Sequence, residues 1–173
     1  MKPFIFKTME KPIAQLITVV FFIVSSLAFA LSKEIPWSEL NEEVLQLQQQ
    51  GKYQEAVALA EQALKAAQEG FGIDHPNVAQ SLNSLAAVYY AQGKFPQAEM
   101  FYQRALGVNE KALGPDHPEV ASSLYNLAGF YDSQGQLEKA EPLYIRALAI
   151  WEATLGPYHP DVAAVLNNMA LLY

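Results

Sequence analysis

Residues 116–157 read DHPEVASSLYNLAGFYDSQGQLEKAEPLYIRALAIWEATLGP, and the preceding residues 74–115 read DHPNVAQSLNSLAAVYYAQGKFPQAEMFYQRALGVNEKALGP. Aligned without a gap, the two stretches are identical at 22 of 42 positions. A further copy opens at residue 158 with YHPDVAAVLNNMALLY, and a diverged copy keeps the same phase before residue 74. Self-similarity at a fixed period of this length is the signature of a repeat architecture.

Each repeat unit is predicted to contain two helices. In residues 116–157, the first apolar stripe has helical spacing and comprises Val120, Leu124, Leu127, Ala128 and Tyr131. The residues Gln134-Gly135-Gln136 interrupt this helix, and a second stripe follows, comprising Leu137, Ala140, Tyr144, Ala147, Leu148 and Trp151. Gly156-Pro157 ends the second helix, with glycine available for a left-handed cap. Asp116 or His117 is placed to cap the next helix.

The predicted fold is therefore all-α, a solenoid of antiparallel helix pairs preceded by an N-terminal hydrophobic helix. Small residues such as Ala128 and Ala140 recur where paired helices must approach closely, and tyrosines fill the gaps between them. The predicted segments are 1–30 (signal peptide or membrane anchor), 31–73 (diverged first unit with a lead-in), 74–115 and 116–157 (complete units) and 158–173 (an incomplete unit with only its first helix).

The N-terminal segment indicates export. Lysines dominate the first eleven residues, no charge occurs from Pro12 to Ser32, and a small-x-small triplet ends at Ala30. A secretory signal peptide cleaved after Ala30 fits this pattern. An uncleaved anchor fits it as well, with membrane contact through residues 12–32 alone. Both interpretations place the repeats outside the cytoplasm, in the periplasm or the medium or tethered to the membrane, because flanking lysines stay on the inner side. A buried core helix of a cytosolic protein is the third interpretation.

Composition excludes several classes of function. The chain has no cysteine, so disulfides, thiolate metal sites, cysteine nucleophiles and lipid-modified cysteines are excluded. Its 173 residues carry a formal charge of −7. Residues 1–30 contain three lysines and one glutamate, so the remainder carries −9. A body this acidic is a poor candidate for nucleic-acid binding and is better suited to neutral or basic partners.

The repeat resembles a known family. Its small-residue and aromatic pattern is similar to the tetratricopeptide repeat (TPR), and the motifs HPxVAxSLxxLA, QGxxxxAExxYxRAL and LGPDHP resemble the longer repeats of kinesin light chains and related bacterial proteins. The resemblance covers about residues 37–173 and is weaker over 37–73. It implies a right-handed superhelix whose first helices line a concave groove, and a non-catalytic scaffold that binds peptide segments of partner proteins in that groove.

The resemblance also implies which residues face the groove. Kinesin-light-chain repeats place asparagines on the first helix, and the matching positions here are Asn126 and Asn168, with Ser84 departing from the pattern. One residue earlier stand Asn83, Tyr125 and Asn167, and Gln80, Ser122, Tyr90 and Asp132 are expected on the same surface. An asparagine amide both donates and accepts, so it can satisfy a peptide unit. The alternative is that these asparagines are inherited with the repeat and bond to their neighbours.

Other polar residues receive structural interpretations. His75, His117 and His159 occupy one repeat position, each before proline, and stacking would separate them too far to share a zinc ion, so we predict turn and cap roles. Arg104 and Arg146 are assigned to solvated surface or to pairing between repeats. No catalytic triad, phosphate loop or metal-ligand spacing occurs in the sequence, so neither an enzymatic activity nor a cofactor is predicted.

The last unit stops within its first helix, which leads us to expect a fragment or the N-terminal part of a longer protein. In some similar bacterial proteins such repeats precede a catalytic domain such as a caspase-like peptidase, so the alternative function is a sensor or regulatory segment for an enzyme absent from this chain. A third class of function is a structural oligomer, formed by self-association through the uncapped C-terminal repeat.

Overall fold

The computed structural model describes residues 36–172, so the predicted signal peptide or anchor at 1–30 and the whole uncharged stretch 12–32 lie outside the described residues. Within the described range the chain forms seven α-helices and no strand. Their bounds are α1 Trp37–Gln49, α2 Tyr53–Phe71, α3 Pro76–Ala91, α4 Phe95–Leu113, α5 Pro118–Ser133, α6 Leu137–Leu155 and α7 Pro160–Leu172. The predicted all-α class is confirmed for this part of the chain.

The helices stack in sequence order. Each helix packs against the next along the chain, and α1 also contacts α3, as α3 contacts α5. The first helices of successive pairs therefore lie side by side and form one surface, while the second helices lie behind them. In the described residues, no helix is both long enough and apolar enough to cross a membrane.

The start of each pair is determined by a histidine and a proline. His117 has an extended backbone, and its Nδ1 accepts a hydrogen bond from the backbone N–H of Glu119 at 3.2 Å. Pro118 then occupies the first turn, where its missing N–H is not needed. His75 and His159 make the same contact with the residue two positions later. The predicted cap role of the histidines is confirmed, and His117 rather than Asp116 is the cap.

Two glycines end helices in different ways. Gly135 has φ 68° and makes the tight turn between α5 and α6, as its position predicted. Gly156, after α6, has φ 87° and ψ 159°, so it is not the left-handed helical cap that we expected. The backbone instead leaves the helix in an extended conformation with positive φ, a region that only glycine enters at low cost. This geometry turns the chain from one repeat into the next.

The core confirms the predicted stripes. Val120, Leu124, Leu127, Ala128 and Tyr131 of α5 are all buried, and they pack in one cluster with Ala140, Tyr144, Ala147 and Trp151 of α6. The alanines at the helix crossings are completely buried, which is how the helices approach closely. Leu137, at the start of α6, remains 39% exposed and is the exception in the second stripe.

Candidate functional site

A cleft opens between the first helices α3 and α5, with the end of α4 at its base. We call it the polar cleft because amide and hydroxyl side chains supply most of its lining, and its volume is about 420 Å³. Gln80, Asn83 and Ser84 come from α3, whereas Ser122 and Asn126 come from α5. The helical spacing of these positions places them on one side of each helix, toward the neighbouring first helix.

A second cavity adjoins the same surface, and we call it the aromatic pocket. Its volume is about 200 Å³, and its lining comprises Tyr90, Tyr102, Tyr125, Asn126, Gly129, Phe130 and Asn168. Edge-to-face and tilted ring contacts hold this wall together, including Tyr90 against Phe130 and Tyr102 against Phe130. Asn126 lines both cavities, so the polar cleft and the aromatic pocket meet at its side chain.

The residues predicted to face the groove fall into three groups. Gln80, Asn83, Ser122 and Asn126 line the polar cleft. Tyr90, Tyr125, Asn126 and Asn168 line the aromatic pocket. Asn167 is exposed and lines neither cavity. The structure thus brings seven of the eight residues to two adjoining cavities, and their role in binding stays a prediction.

The side chain of Asn168 has internal partners. Its Nδ2 donates to the hydroxyl of Tyr125 at 3.0 Å and to the hydroxyl of Tyr144 at 3.3 Å. Burial raises the pKa of Tyr144, and the hydrogen bond from Asn168 opposes that increase. The sequence left open the alternative that these asparagines bond to their neighbours. The amide nitrogen of Asn168 fits that alternative.

Asn109 is a cleft residue that the sequence interpretation missed. It lies on α4, a second helix, and is only 4% exposed. Its Nδ2 donates to the backbone carbonyl of Glu119 at 3.2 Å and to Ser123 Oγ at 2.9 Å, while its Oδ1 is buried without a hydrogen-bond partner within residues 36–172. A signal was present, since Asn109 stands 42 residues before the core residue Trp151, where a polar side chain is unexpected.

The sequence interpretation also missed Gly129, which lines the aromatic pocket. The preceding repeat has Ala87 at this position. A Cβ added at Gly129 would meet only the hydroxyl of Tyr144, at 3.6 Å, which is ordinary van der Waals contact. A glycine inside a helix costs stability relative to alanine. Its absent side chain leaves part of the pocket's space open.

Burial shifts the pKa of one tyrosine of the pocket wall, Tyr102. Burial raises the pKa of Tyr102 to about 12, and the charge that Tyr90 would carry adds to the increase. Burial likewise raises the pKa of Tyr89 and Tyr131, where the carboxylates of Glu61 and Glu99 contribute. These hydroxyls act at ordinary pH as hydrogen-bond donors and acceptors without charge.

Polar and charged side chains form contacts between neighbouring repeats. Arg146 Nη1 pairs with Glu110 Oε1 at 2.6 Å, and its Nη2 donates to the carbonyl of Pro115. Tyr131 donates to Glu99 across the same boundary at 2.7 Å. The predicted pairing between repeats is confirmed for Arg146, while Arg104 is exposed.

The hydroxyls in the cleft make ordinary helix contacts. Ser122 Oγ donates to the carbonyl of Pro118, and Ser84 Oγ donates to the carbonyl of Gln80. Such bonds to the preceding turn are common for serine in helices and do not prepare a nucleophile. Over residues 36–172, no group of three or more histidine and acidic side chains is placed to hold a metal ion. The arrangement is suited to hydrogen bonding and apolar contact.

Known proteins share this architecture. The structure superposes on the nearly identical TPR-like repeats of a Podosopora anserina protein described as a kinesin light chain, with a TM-score of 0.71 and 30% identity over 81% of this chain and 67% of that one. BtubC (BKLC) from P. vanneervenii gives a TM-score of 0.71 and 26% identity over 92% and 65% of the two chains. The TPR domain of Arabidopsis FLU shares the fold at 20% identity, with a TM-score of 0.55 over 68% of this chain and 96% of that domain.

The chain thus spans about two thirds of the length of the kinesin-light-chain-like structures. No curated protein matches the sequence. The family model described as tetratricopeptide repeat matches residues 44–111, 83–141 and 119–173, which together cover most of the chain. TPR solenoids are scaffolds for protein–protein interaction and are generally non-catalytic. The chain belongs to the tetratricopeptide repeat family, in its kinesin-light-chain-like form.

Proposed function

We propose that this scaffold binds a segment of a partner polypeptide along the surface formed by α3, α5 and α7. The observation that carries the proposal is the meeting of the polar cleft and the aromatic pocket at Asn126. A polar site next to an aromatic site matches the needs of a peptide, whose backbone requires hydrogen bonds and whose side chains require apolar contact. The segment binds without covalent chemistry, in a preformed groove.

The two cavities offer a bound segment different contacts, hydrogen bonds in one and apolar contact in the other. The exposed amides of Gln80 and Asn126 both donate and accept, so they can bond the N–H and C=O groups of an extended backbone. Tyr90, which is 38% exposed at the mouth of the aromatic pocket, offers its ring to an apolar side chain. Preformed walls limit the entropy that binding must remove, which favours affinity from a modest contact area.

Site-specific photo-crosslinking tests this proposal. A benzophenone side chain placed at position 126 of the full chain is expected to capture a defined set of polypeptides in intact cells. The same group placed at the exposed position 104, on the second helix α4, should not capture that set. Adding Tyr90→Ala to the chain with the crosslinker at 126 should reduce the capture, whereas adding Asn167→Ala should leave it unchanged. Equal capture from positions 126 and 104 would rule out the groove.

We further propose that the repeats act outside the cytoplasm. The basic start, the uncharged stretch from Pro12 to Ser32 and the small residues ending at Ala30 support export. N-terminal sequencing of the protein recovered from the cell envelope distinguishes the two modes of attachment. A new terminus at Leu31 indicates a cleaved signal peptide, and an intact terminus in the membrane fraction indicates an anchor. Recovery of the intact protein in the cytoplasm alone would contradict export.

A further inference from the structure

The polar cleft contains two buried acceptor atoms that have no hydrogen-bond partner among the described residues, namely Oδ1 of Asn83 and Oδ1 of Asn109. The orientation of the Asn109 amide is determined by its contacts, because only its NH2 group can donate to the carbonyl of Glu119 and to Ser123 Oγ. Its oxygen is therefore the atom left over. A buried acceptor without a donor destabilises a folded protein, so such an atom is normally explained by a missing partner.

The other groups around the cleft indicate the charge of that partner. Among the described residues that line the cleft, Glu119 is acidic and none is a lysine or an arginine. The Nδ1 of His117 is occupied by the N–H of Glu119, at the start of α5. The chain as a whole carries a formal charge of −7. An anionic ligand would meet acceptor oxygens and a carboxylate, and a cationic donor would satisfy them.

The size of the cleft indicates more than a single water molecule. Its volume is about 420 Å³, whereas one water occupies roughly 30 Å³ of liquid. Asn83 of α3 and Asn109 of α4 both line the cleft, so both border the space that a ligand head group would occupy. Lysine and arginine side chains combine a long apolar stem with several N–H donors at the tip.

We propose that the polar cleft is a subsite for a cationic side chain, a lysine or an arginine of the bound polypeptide. The ammonium or guanidinium group donates to Oδ1 of Asn83 and to Oδ1 of Asn109, and the carboxylate of Glu119 adds attraction. This inference rests on the proposed binding of a polypeptide along α3, α5 and α7. It adds a requirement on the partner, since the bound segment must present a lysine or an arginine to the polar cleft.

Labelled peptides that differ at one central residue provide the first test. Short acetylated and amidated peptides with lysine, arginine, norleucine or glutamate at that residue are titrated against the full chain by fluorescence anisotropy. Hydrogen bonds to a charged group should make the lysine and arginine peptides bind roughly tenfold more tightly than the norleucine peptide. The advantage should shrink as salt is raised. The glutamate peptide should bind least.

The outcomes of this titration are separable from the groove itself. If the norleucine peptide binds as well as the lysine peptide, the groove holds peptides but the cationic subsite is wrong. If no peptide binds, or if the glutamate peptide binds best, the subsite is also wrong, and the cleft holds water in the isolated protein. In each case, the crosslinking experiment at position 126 tests separately whether the groove binds a polypeptide.

A matched pair of variants provides the second test. Asn83→Asp places a carboxylate in the cleft, and Asn167→Asp adds the same charge at the same repeat position but outside both cavities. Asn83→Asp is expected to tighten binding of the lysine peptide by about tenfold, whereas Asn167→Asp should change it less than about twofold. Equal effects of the two variants would mean a general effect of charge and would overturn the proposal.

Discussion

The Nδ2 atom of Asn168 donates a hydrogen bond to the hydroxyl of Tyr125, one repeat earlier, at 3.0 Å. This bond joins α7 to α5, and a second bond to the hydroxyl of Tyr144 joins α7 to α6. Asn168 thus connects the last described helix to the complete repeat before it. Its neighbour Asn126, at the same repeat position, is exposed and lies where the two cavities meet. The same residue type therefore has different surroundings in successive repeats.

Removing the Asn168–Tyr125 bond should loosen the contact between α7 and α5. Tyr125→Phe keeps the ring and deletes the hydroxyl, so it should lower the free energy of unfolding by about 0.5–1.5 kcal/mol. Urea denaturation of Tyr125→Phe, Asn168→Ala and the double variant measures the coupling between the two side chains. Asn126→Ala, at the exposed equivalent position, is the control and should cost little. Full additivity of the two single effects would contradict the bond.

Two glycine-to-alanine substitutions should have opposite effects. Gly156, with φ 87° and ψ 159°, has a backbone conformation that alanine enters only under strain, so Gly156→Ala should destabilise the fold by about 1–3 kcal/mol. Gly107 lies inside α4, and a Cβ added there meets no atom within 4 Å. Gly107→Ala should therefore stabilise the protein by about 0.5–1 kcal/mol. Urea midpoints measure both, and a shift in the same direction would be inconsistent with these conformations.

A larger side chain at Ala128 should be poorly tolerated. Ala128 is completely buried in the cluster between α5 and α6. Ala128→Leu should cost about 1–3 kcal/mol, because the added atoms overfill a packed contact. Ala153→Leu makes the same change at an exposed position of α6 and should alter stability by less than about 0.5 kcal/mol. Comparable losses in the two variants would argue against close packing at Ala128.

The pair between Arg146 and Glu110 should contribute modestly. Both side chains are more than a third exposed, at 39% and 37%, so water screens their attraction. A double-mutant cycle with Arg146→Met and Glu110→Gln should give a coupling of about 0.2–1 kcal/mol. The coupling should fall in concentrated salt. Arg146→Met should cost more than Glu110→Gln, since Arg146 also loses its bond to the Pro115 carbonyl. A coupling that does not respond to salt would contradict this view.

Stability should fall at strongly alkaline pH. Burial raises the pKa of Tyr102 from 10.0 to about 12 in the folded chain. Below pH 10 the hydroxyl is protonated in both states, so its contribution is complete. Between about pH 10 and pH 12 the unfolded chain loses the proton first, and stability therefore falls as pH rises.

Thermal unfolding as a function of pH measures this loss. Tyr102→Phe should reduce the decrease between pH 10 and pH 12, and Tyr158→Phe, which removes a tyrosine that is 97% exposed, serves as the matched variant. Tyr89, Tyr131 and Tyr144 also have raised pKa values, so part of the decrease should persist in Tyr102→Phe. An unchanged decrease in Tyr102→Phe would show that Tyr102 is not its source.

The sequence alone was sufficient for the repeat and for its helices. The 42-residue period, the apolar stripes and the breaks at Gly135 and Gly156 are local patterns, and local patterns determine where helices begin and end. The sequence left Asp116 and His117 as candidate caps before Pro118, and the structure assigns the role to His117. Because each helix pair must bury its apolar face against the next pair, the period also determined how the helices stack.

The tertiary structure decided which polar groups remain available to a ligand. Asn168 and Asn126 are indistinguishable by repeat position, yet Asn168 is bonded to Tyr125 because another helix pair supplies that hydroxyl. The buried oxygen of Asn109 depends on the meeting of α4 with the start of α5, which the spacing along the chain does not reveal. The reason is physical, since helix periodicity is a local property, whereas the satisfaction of a buried amide depends on partners brought together only by packing.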